Sequence, residues 1–283
     1  MNYNIKHFTQ YLITIGYSEV TCYNTPNLIT HFIDFCDKPL DHLTKDDIDL
    51  FIEHLQNKKS TRTWKKLSAS HINGYIIALK RFSKYVFHCH RLVLTTEHLK
   101  YLNVITPEKT ILTIDQIKSL FDVCGNSKIG LRDKAMLSLY YSCGLRRSEA
   151  LYVEIGDIDF DNNVLFVQKG KAGKQRYVPF TDTTHFHLRE YINIGRRRLN
   201  RKHKFRKTLL ISYKGEKVKG QALQLRLNVL CRRAGIYQKV GLHTLRHSIA
   251  THLLQQQMSI YDISEFLGHS SLESTQIYTH VIL

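Results

Sequence analysis

Apolar residues recur every three or four positions through most of the first hundred residues, and that spacing predicts helices. IKHFTQYLITIG reads as one, closed by Gly16. TPNLITHFIDFCDK reads as a second, with Thr25 as cap and Pro26 at the first helical position. LTKDDIDLFIEHLQNK opens on Thr44 as N-cap with Asp47 three residues on, and turns Ile48, Phe51, Ile52 and Leu55 to one face. SASHINGYIIALKRFSKYVFH gives a fourth, with Ile72, Ile76, Leu79 and Phe82 or Phe87 inward.

LKYLNVITPEKTILT, which contains Pro107, breaks the pattern and reads as an extended linker. Helical spacing returns in TIDQIKSLFDVC, in GLRDKAMLSLYYSCG as far as Gly144, and in SEALYVEI with Ser148 as its cap. The period then drops to two. NNVLFVQ and RYVPF predict two strands of a hairpin around the Lys- and Gly-rich turn KGKAGKQ. Helices resume with HFHLREYINIGRRRL, QALQLRLNVLCRRAG, LHTLRHSIATHLLQQQ, IYDISEFLG and a last one around LESTQIYTHV. The expectation is a mainly α protein: a four-helix domain over residues 1–104, and a mostly helical domain with a small antiparallel β-sheet over residues 105–283.

Composition narrows the class. At 43% hydrophobic, the 283 residues can build sizeable cores. No run of apolar residues is long enough for a membrane span, and the N-terminus lacks the pattern of a signal peptide, so a cytoplasmic protein without a membrane partner is expected. Cysteines 22, 36, 89, 124, 143 and 231 form no CxxC pair and read as buried free thiols. Charge says most. There are 41 Lys and Arg against 24 Asp and Glu, and the excess is uneven: 13 basic and 9 acidic in residues 1–106, 28 and 15 beyond. A chain this basic meets a polyanion, and nucleic acid is favoured over a membrane surface. Lys58, Lys59, Arg62, Lys65, Lys66, Lys80, Arg81 and Lys84 gather around the third and fourth helices, and RRRLNRKHKFRK (196–207) holds eight basic residues in twelve. The first is expected to grip phosphate; the second reads either as a solvated basic loop or as a grip on backbone phosphate.

The candidate chemistry centres on LHTLRHS (242–248). On a helix His243, Arg246 and His247 lie near one another. The stretch alone allows a metal site, a hydrogen-bonded core histidine or a phosphate clamp. HxxxH lacks the further ligands a metal needs. An arginine fork with a histidine beside it suits phosphate. SCGLRRSEAL puts Arg146 just after a helix end, with Ser148 and Glu149 to hold it. The hairpin turn carries Lys171, with Lys174 three residues on as the other candidate. LGHSSLESTQIYTHV adds His269 and Tyr278.

GLRRSE (144–149), GKAGKQRYVP (170–179), HTLRHS (243–248), LGH (267–269) and TxxYTH (275–280), in that order and at those spacings, resemble the tyrosine recombinase (integrase) family, most of all its simple two-domain, Xer-like bacterial members. The N-terminal helices also resemble that family's core-binding, SAM-like domain. The resemblance implies Arg146 and Arg246 as clamp arginines, His243 and His269 as their histidines, Lys171 as general acid and Tyr278 as nucleophile. Glu149 and His247 would brace them. It implies DNA cleavage through a 3′-phosphotyrosine, exchange through a Holliday junction, and no cofactor or metal. It implies a homo-tetramer on two synapsed duplexes with inverted-repeat core sites, monomeric in solution, with a partner recombinase or DNA-bending protein as an accessory. The outcome would be integration, excision, inversion or resolution. Only five residues follow Tyr278, so a shorter contact between protomers is expected than in relatives with a longer C-terminal helix. A compact core-site recombinase without an arm-binding domain before the first helix is expected. A topoisomerase-like relaxation activity and a non-catalytic DNA-binding protein are the rival readings. Replacing Arg246 with alanine is expected to spare the fold and DNA binding and to remove most strand cleavage.

Overall fold

The computed structural model describes residues 4–61, 64–104, 110–168, 175–200 and 207–268. The chain divides into two units, Met1–Pro107 and Glu108–Leu283. The first unit is built of α1 (Ile5–Thr14), α2 (Glu19–Cys36), α3 (Lys45–Asn57) and α4 (Ala69–His90). Each starts at a side chain that accepts an N–H the first turn leaves over: Asn4, Ser18, Thr44 and Ser68. At α3, Asp47 also returns a bond to the Thr44 N–H, the reciprocal cap that the spacing predicts. The inward stripes meet in a core of Phe8, Leu12, Ile29, Phe32, Ile48, Phe51, Ile76, Leu79 and Phe82.

One detail departs from the sequence pattern, and one alternative is settled. α2 begins at Ser18, not at Thr25, and runs through Pro26. Thr-Pro imitates a helix start, but Cys22, Thr25, Pro26, Ile29 and Phe32 form one buried stripe, and its burial outweighs the backbone hydrogen bond the proline removes. Phe87 is exposed, leaving Phe82 as the inward ring. The basic cluster is also partly spoken for. The Lys80 ammonium lies over the Tyr101 ring, and the Arg81 guanidinium lies over Tyr17 while donating to Thr25 Oγ1.

The second unit opens with α5 (Ile114–Asp122) and α6 (Lys128–Leu137). α6 widens into a π-turn at Ser138–Ser142, a form often found at functional sites, just before Gly144. Then follow α7 (Arg147–Tyr152), β1 (Ile158–Asp159), β2 (Val164–Val167) and β3 (Arg176–Pro179). The three strands form an antiparallel sheet in sequence order, with Leu165 opposite Val178 and Val167 opposite Arg176. The spacing predicted two of them; β1, two residues long, carries too little pattern to read. α8 (Asp182–Glu190) continues through a second π-turn into α9 (Arg197–Leu199), and α10 (Gly220–Arg233), α11 (Leu242–Gln255) and α12 (Ile260–Leu267) complete the described chain. The helix expected around LESTQIYTHV lies outside the described residues. No described helix is long and apolar enough to cross a membrane.

Four further expectations change. α7 is capped by Glu149 rather than Ser148: the carboxylate accepts the Arg146 N–H at 2.8 Å. The end of the supposed linker is structural. Leu112 is fully buried, and its N–H donates to Ser248 Oγ of α11 at 2.9 Å. In the basic run, Arg196 is buried, with its guanidinium donating to the Thr208 and Leu209 carbonyls. It is a structural residue, although the sequence presents it as one of eight equivalent cations. The cysteines are free: Cys22, Cys124, Cys143 and Cys231 are buried, Cys36 half-buried, and Cys89 exposed against expectation.

Candidate active site

Three arginines from three elements converge on one carboxylate. Glu149 sits in the first turn of α7, 2% exposed. Arg146, at the start of that helix, donates from its guanidinium to Glu149 Oε1 at 2.7 Å. Arg176 of β3 grips both oxygens, at 3.2 and 3.0 Å. Arg246 of α11 stands 3.8 Å from Oε2 and is 4% exposed. Burial alone would raise the Glu149 pKa; the hydrogen bond and charge of Arg176, then the bonds from Arg146, overcome it and hold the carboxyl below its ordinary value. It is therefore ionised at neutral pH. Among the described residues, three guanidiniums against one carboxylate leave an excess of positive charge in a buried setting, where it acts on an anion more strongly than it would in water.

The same arginines close the end of α12. An α-helix leaves its last four carbonyls without intrahelical partners. Here the Gly268 N–H bonds back to Ser264 and Glu265. Phe266 O accepts from Arg176 Nε at 3.0 Å, Leu267 O from Arg246 at 2.8 Å, and Gly268 O from Arg146 at 2.6 Å. Cations at a helix C-terminus also meet the favourable end of its dipole. Gly268 is required twice over: its φ is +64°, and a Cβ there would stand 2.8 Å from the Arg176 guanidinium. Gly144 plays the matching part. Its φ is +57°, its carbonyl accepts from Arg246 at 2.5 Å, and a Cβ would strike Leu267 Cδ2 at 2.7 Å.

His243 occupies the first turn of α11 beside this cluster. The residue is exposed overall, yet partial desolvation of the ring, followed by the charges of Arg246, Arg147 and Arg146, lowers its pKa despite the opposing charge of Glu149. The imidazole is therefore neutral at physiological pH and able to accept a proton.

Of the six residues singled out in the sequence, Arg146, His243 and Arg246 come together here. Lys171, with its neighbour Lys174, and His269 and Tyr278 lie outside the described residues. Glu149 braces the arginines as expected; His247 is half-buried on α11. The residue that sequence reasoning passed over is Arg176. The signal was present: in RYVP, alternation puts Arg176 on the face of buried Val178, with Tyr177 outward. An arginine at an inward strand position implies a buried acidic partner.

Residues 110–282 match the phage integrase family, and residues 5–90 match the phage integrase N-terminal SAM-like domain. The chain is 32% identical over 256 residues to tyrosine recombinase XerD of Oceanobacillus iheyensis, covering 84% of this chain and 86% of that one. It is 32% identical to tyrosine recombinase XerC of Bacillus subtilis, covering 98% and 91%. Its fold resembles that of a XerH site-specific recombinase bound to difH substrate in a pre-cleavage complex, with a TM-score of 0.70 at 19% identity, covering 97% of this chain and 91% of that one. By these matches the chain belongs to the phage integrase family and is a tyrosine recombinase.

Proposed function

We propose that this chain cleaves and rejoins DNA at specific sites through a 3′-phosphotyrosine formed at Tyr278, passes through a Holliday junction, and uses no metal. The observation that carries the reading is the arginine cluster on Glu149 with neutral His243 beside it. The Tyr278 oxygen attacks the phosphorus, the bond to the 5′ oxygen breaks, and the phosphodiester is conserved as a phosphotyrosine, so no external energy source is needed. Negative charge grows on the non-bridging oxygens as this happens. Arg146 and Arg246, preset by the carbonyls they hold, stabilise it without reorganising. His243 takes the tyrosine proton, Lys171 protonates the departing 5′ oxygen, and His269 hydrogen-bonds the phosphate. A 5′-hydroxyl from another strand then reverses the step and completes the exchange.

Two duplexes must be held together for that exchange. A tetramer on inverted-repeat core sites, assembled from monomers and assisted by a second recombinase or a DNA-bending protein, belongs to the proposal. So do residues 1–104 as the core-binding DNA domain, residues 105–283 as the catalytic domain, and a cytoplasmic, nucleoid-associated location.

The test is a nicked duplex carrying inverted repeats from the DNA beside the gene, incubated with protein in a chelator-containing buffer. A covalent protein–DNA adduct is expected on a denaturing gel, and mass mapping should place the link on the peptide that holds Tyr278. A link on another tyrosine would overturn the assignment. The topology of the products separates strand exchange from supercoil relaxation.

Two further outcomes follow. Because the His243 pKa is lowered, the acid limb of the cleavage rate should fall below the ordinary histidine value of about 6.5. The sign is that protonated His243 cannot accept a proton, so activity is lost as pH drops through its pKa. An acid limb above that value would contradict the role. Replacing Arg197, Arg198, Lys202 and Lys204 with glutamine while keeping the buried Arg196 should flatten log K against log salt by up to about 4. An unchanged slope would exclude backbone contacts by this run.

A further inference from the structure

The only tryptophan of the chain, Trp64, stands on the connection between α3 and α4. It is 78% exposed. Its φ is +55°, a left-handed conformation that is costly for a bulky side chain. The described residues on either side of 62–63 are nevertheless paired with one another. Lys59 and Lys66 pair across an antiparallel bridge. Ser60 N–H donates to Lys65 O at 2.9 Å, Trp64 N–H to Ser60 O at 2.8 Å, and Leu67 N–H to Lys58 O at 3.2 Å. Both ends are anchored, since the Lys58 N–H closes α3 on His54 O and half-buried Leu67 packs against the core of this unit. An outward, strained aromatic on a hydrogen-bonded turn calls for a reason.

Its surroundings supply one. Lys58, Lys59, Lys65 and Lys66 are all exposed, and none pairs with an acidic side chain among the described residues. Trp64 makes no ring contact with any described residue. A large flat apolar ring framed by four ammonium groups fits a nucleic acid, which offers phosphates to the lysines and base faces to the ring.

We propose that this hairpin is a second DNA-contact element, separate from the catalytic cluster: its lysines bind backbone phosphates and Trp64 stacks on bases at a deformable step, as an apolar wedge. It rests on the reading that the chain binds DNA, and adds where and how one part of the protein distorts it.

Because Trp64 is the sole tryptophan, its fluorescence reports on this site alone. Full-length protein is titrated with a duplex of about 30 base pairs containing TA steps, and bound fraction is followed separately by anisotropy of a labelled strand. Binding should remove most of the Trp64 emission. Trp64→Ala should weaken binding roughly 5- to 100-fold with an unchanged salt slope. Lys65→Gln with Lys66→Gln should instead reduce that slope by about 2 while keeping the quench. Circular dichroism checks that each variant is folded, which the exposure of these side chains favours. Unchanged emission at saturating DNA, or wild-type affinity in Trp64→Ala, would overturn the proposal. An absence of any anisotropy change would instead sink the DNA reading on which it rests.

Discussion

Replacing Arg246 with alanine should lower strand cleavage by roughly a thousand- to a hundred-thousand-fold, the range seen when an arginine that meets transition-state phosphate charge is lost. It should also cost stability. Arg246 is buried and donates to the carbonyls of Gly144 and Leu267. Truncation leaves both without those donors, at about 1–3 kcal/mol each. It also withdraws a positive charge from Glu149. A loss of about 3 kcal/mol in urea unfolding is therefore expected. The motif alone suggested that this variant would spare the fold; the bonds to Gly144 and Leu267 revise that. Arg246→Lys separates the two roles. It keeps the charge but not the planar fork, so it should recover part of the stability and little of the cleavage. If Arg246→Ala lost its stability but cleaved within tenfold of wild type on saturating DNA, Arg246 would be a structural residue only.

The contrast shows what the sequence made legible. Helix spacing, the cap at Thr44, the hairpin strands and the motif order were readable, because each depends on residues close in the chain. They brought Arg146, His243 and Arg246 into one site before any coordinates. What was hidden depends on partners far apart. The role of Arg176 rests on Glu149, 27 residues away, and on Phe266, 90 residues away. Leu112 looked like linker because its partner Ser248 lies 136 residues on. Thr25-Pro26 imitated a helix start because local propensity points one way and the buried stripe of α2 the other. In RRRLNRKHKFRK all cations look alike, and only the carbonyls of Thr208 and Leu209 single out Arg196.

Glu149 is where structure and catalysis are hardest to separate, and where substitution should cost most in stability. Glu149→Ala removes the one carboxylate that, among the described residues, faces Arg146, Arg176 and Arg246, leaving guanidiniums to repel one another in a buried site. A loss of about 3–5 kcal/mol is expected, as when one partner of a buried ion pair is removed. Glu149→Gln tests the charge while conserving shape. Its amide oxygen can still accept the Arg146 N–H, but it cannot serve two guanidiniums as an ionised carboxylate does. Because the folded-state pKa of Glu149 is depressed, the stability it confers is present above the unfolded value of about 4.3 and lost as pH falls through the folded one. The gap between wild type and Glu149→Gln in urea unfolding should therefore narrow as pH is lowered through that region. A constant gap would mean that packing, not charge, is what Glu149 supplies. Catalysis should move the other way from affinity. Without the carboxylate the cluster is more positive, so DNA binding should hold or tighten. Arg146 and Arg176, freed from a fixed partner, should no longer keep the α12 carbonyls and the phosphate in register. Single-turnover cleavage at saturating DNA should then fall while binding does not, a split that general unfolding would not produce.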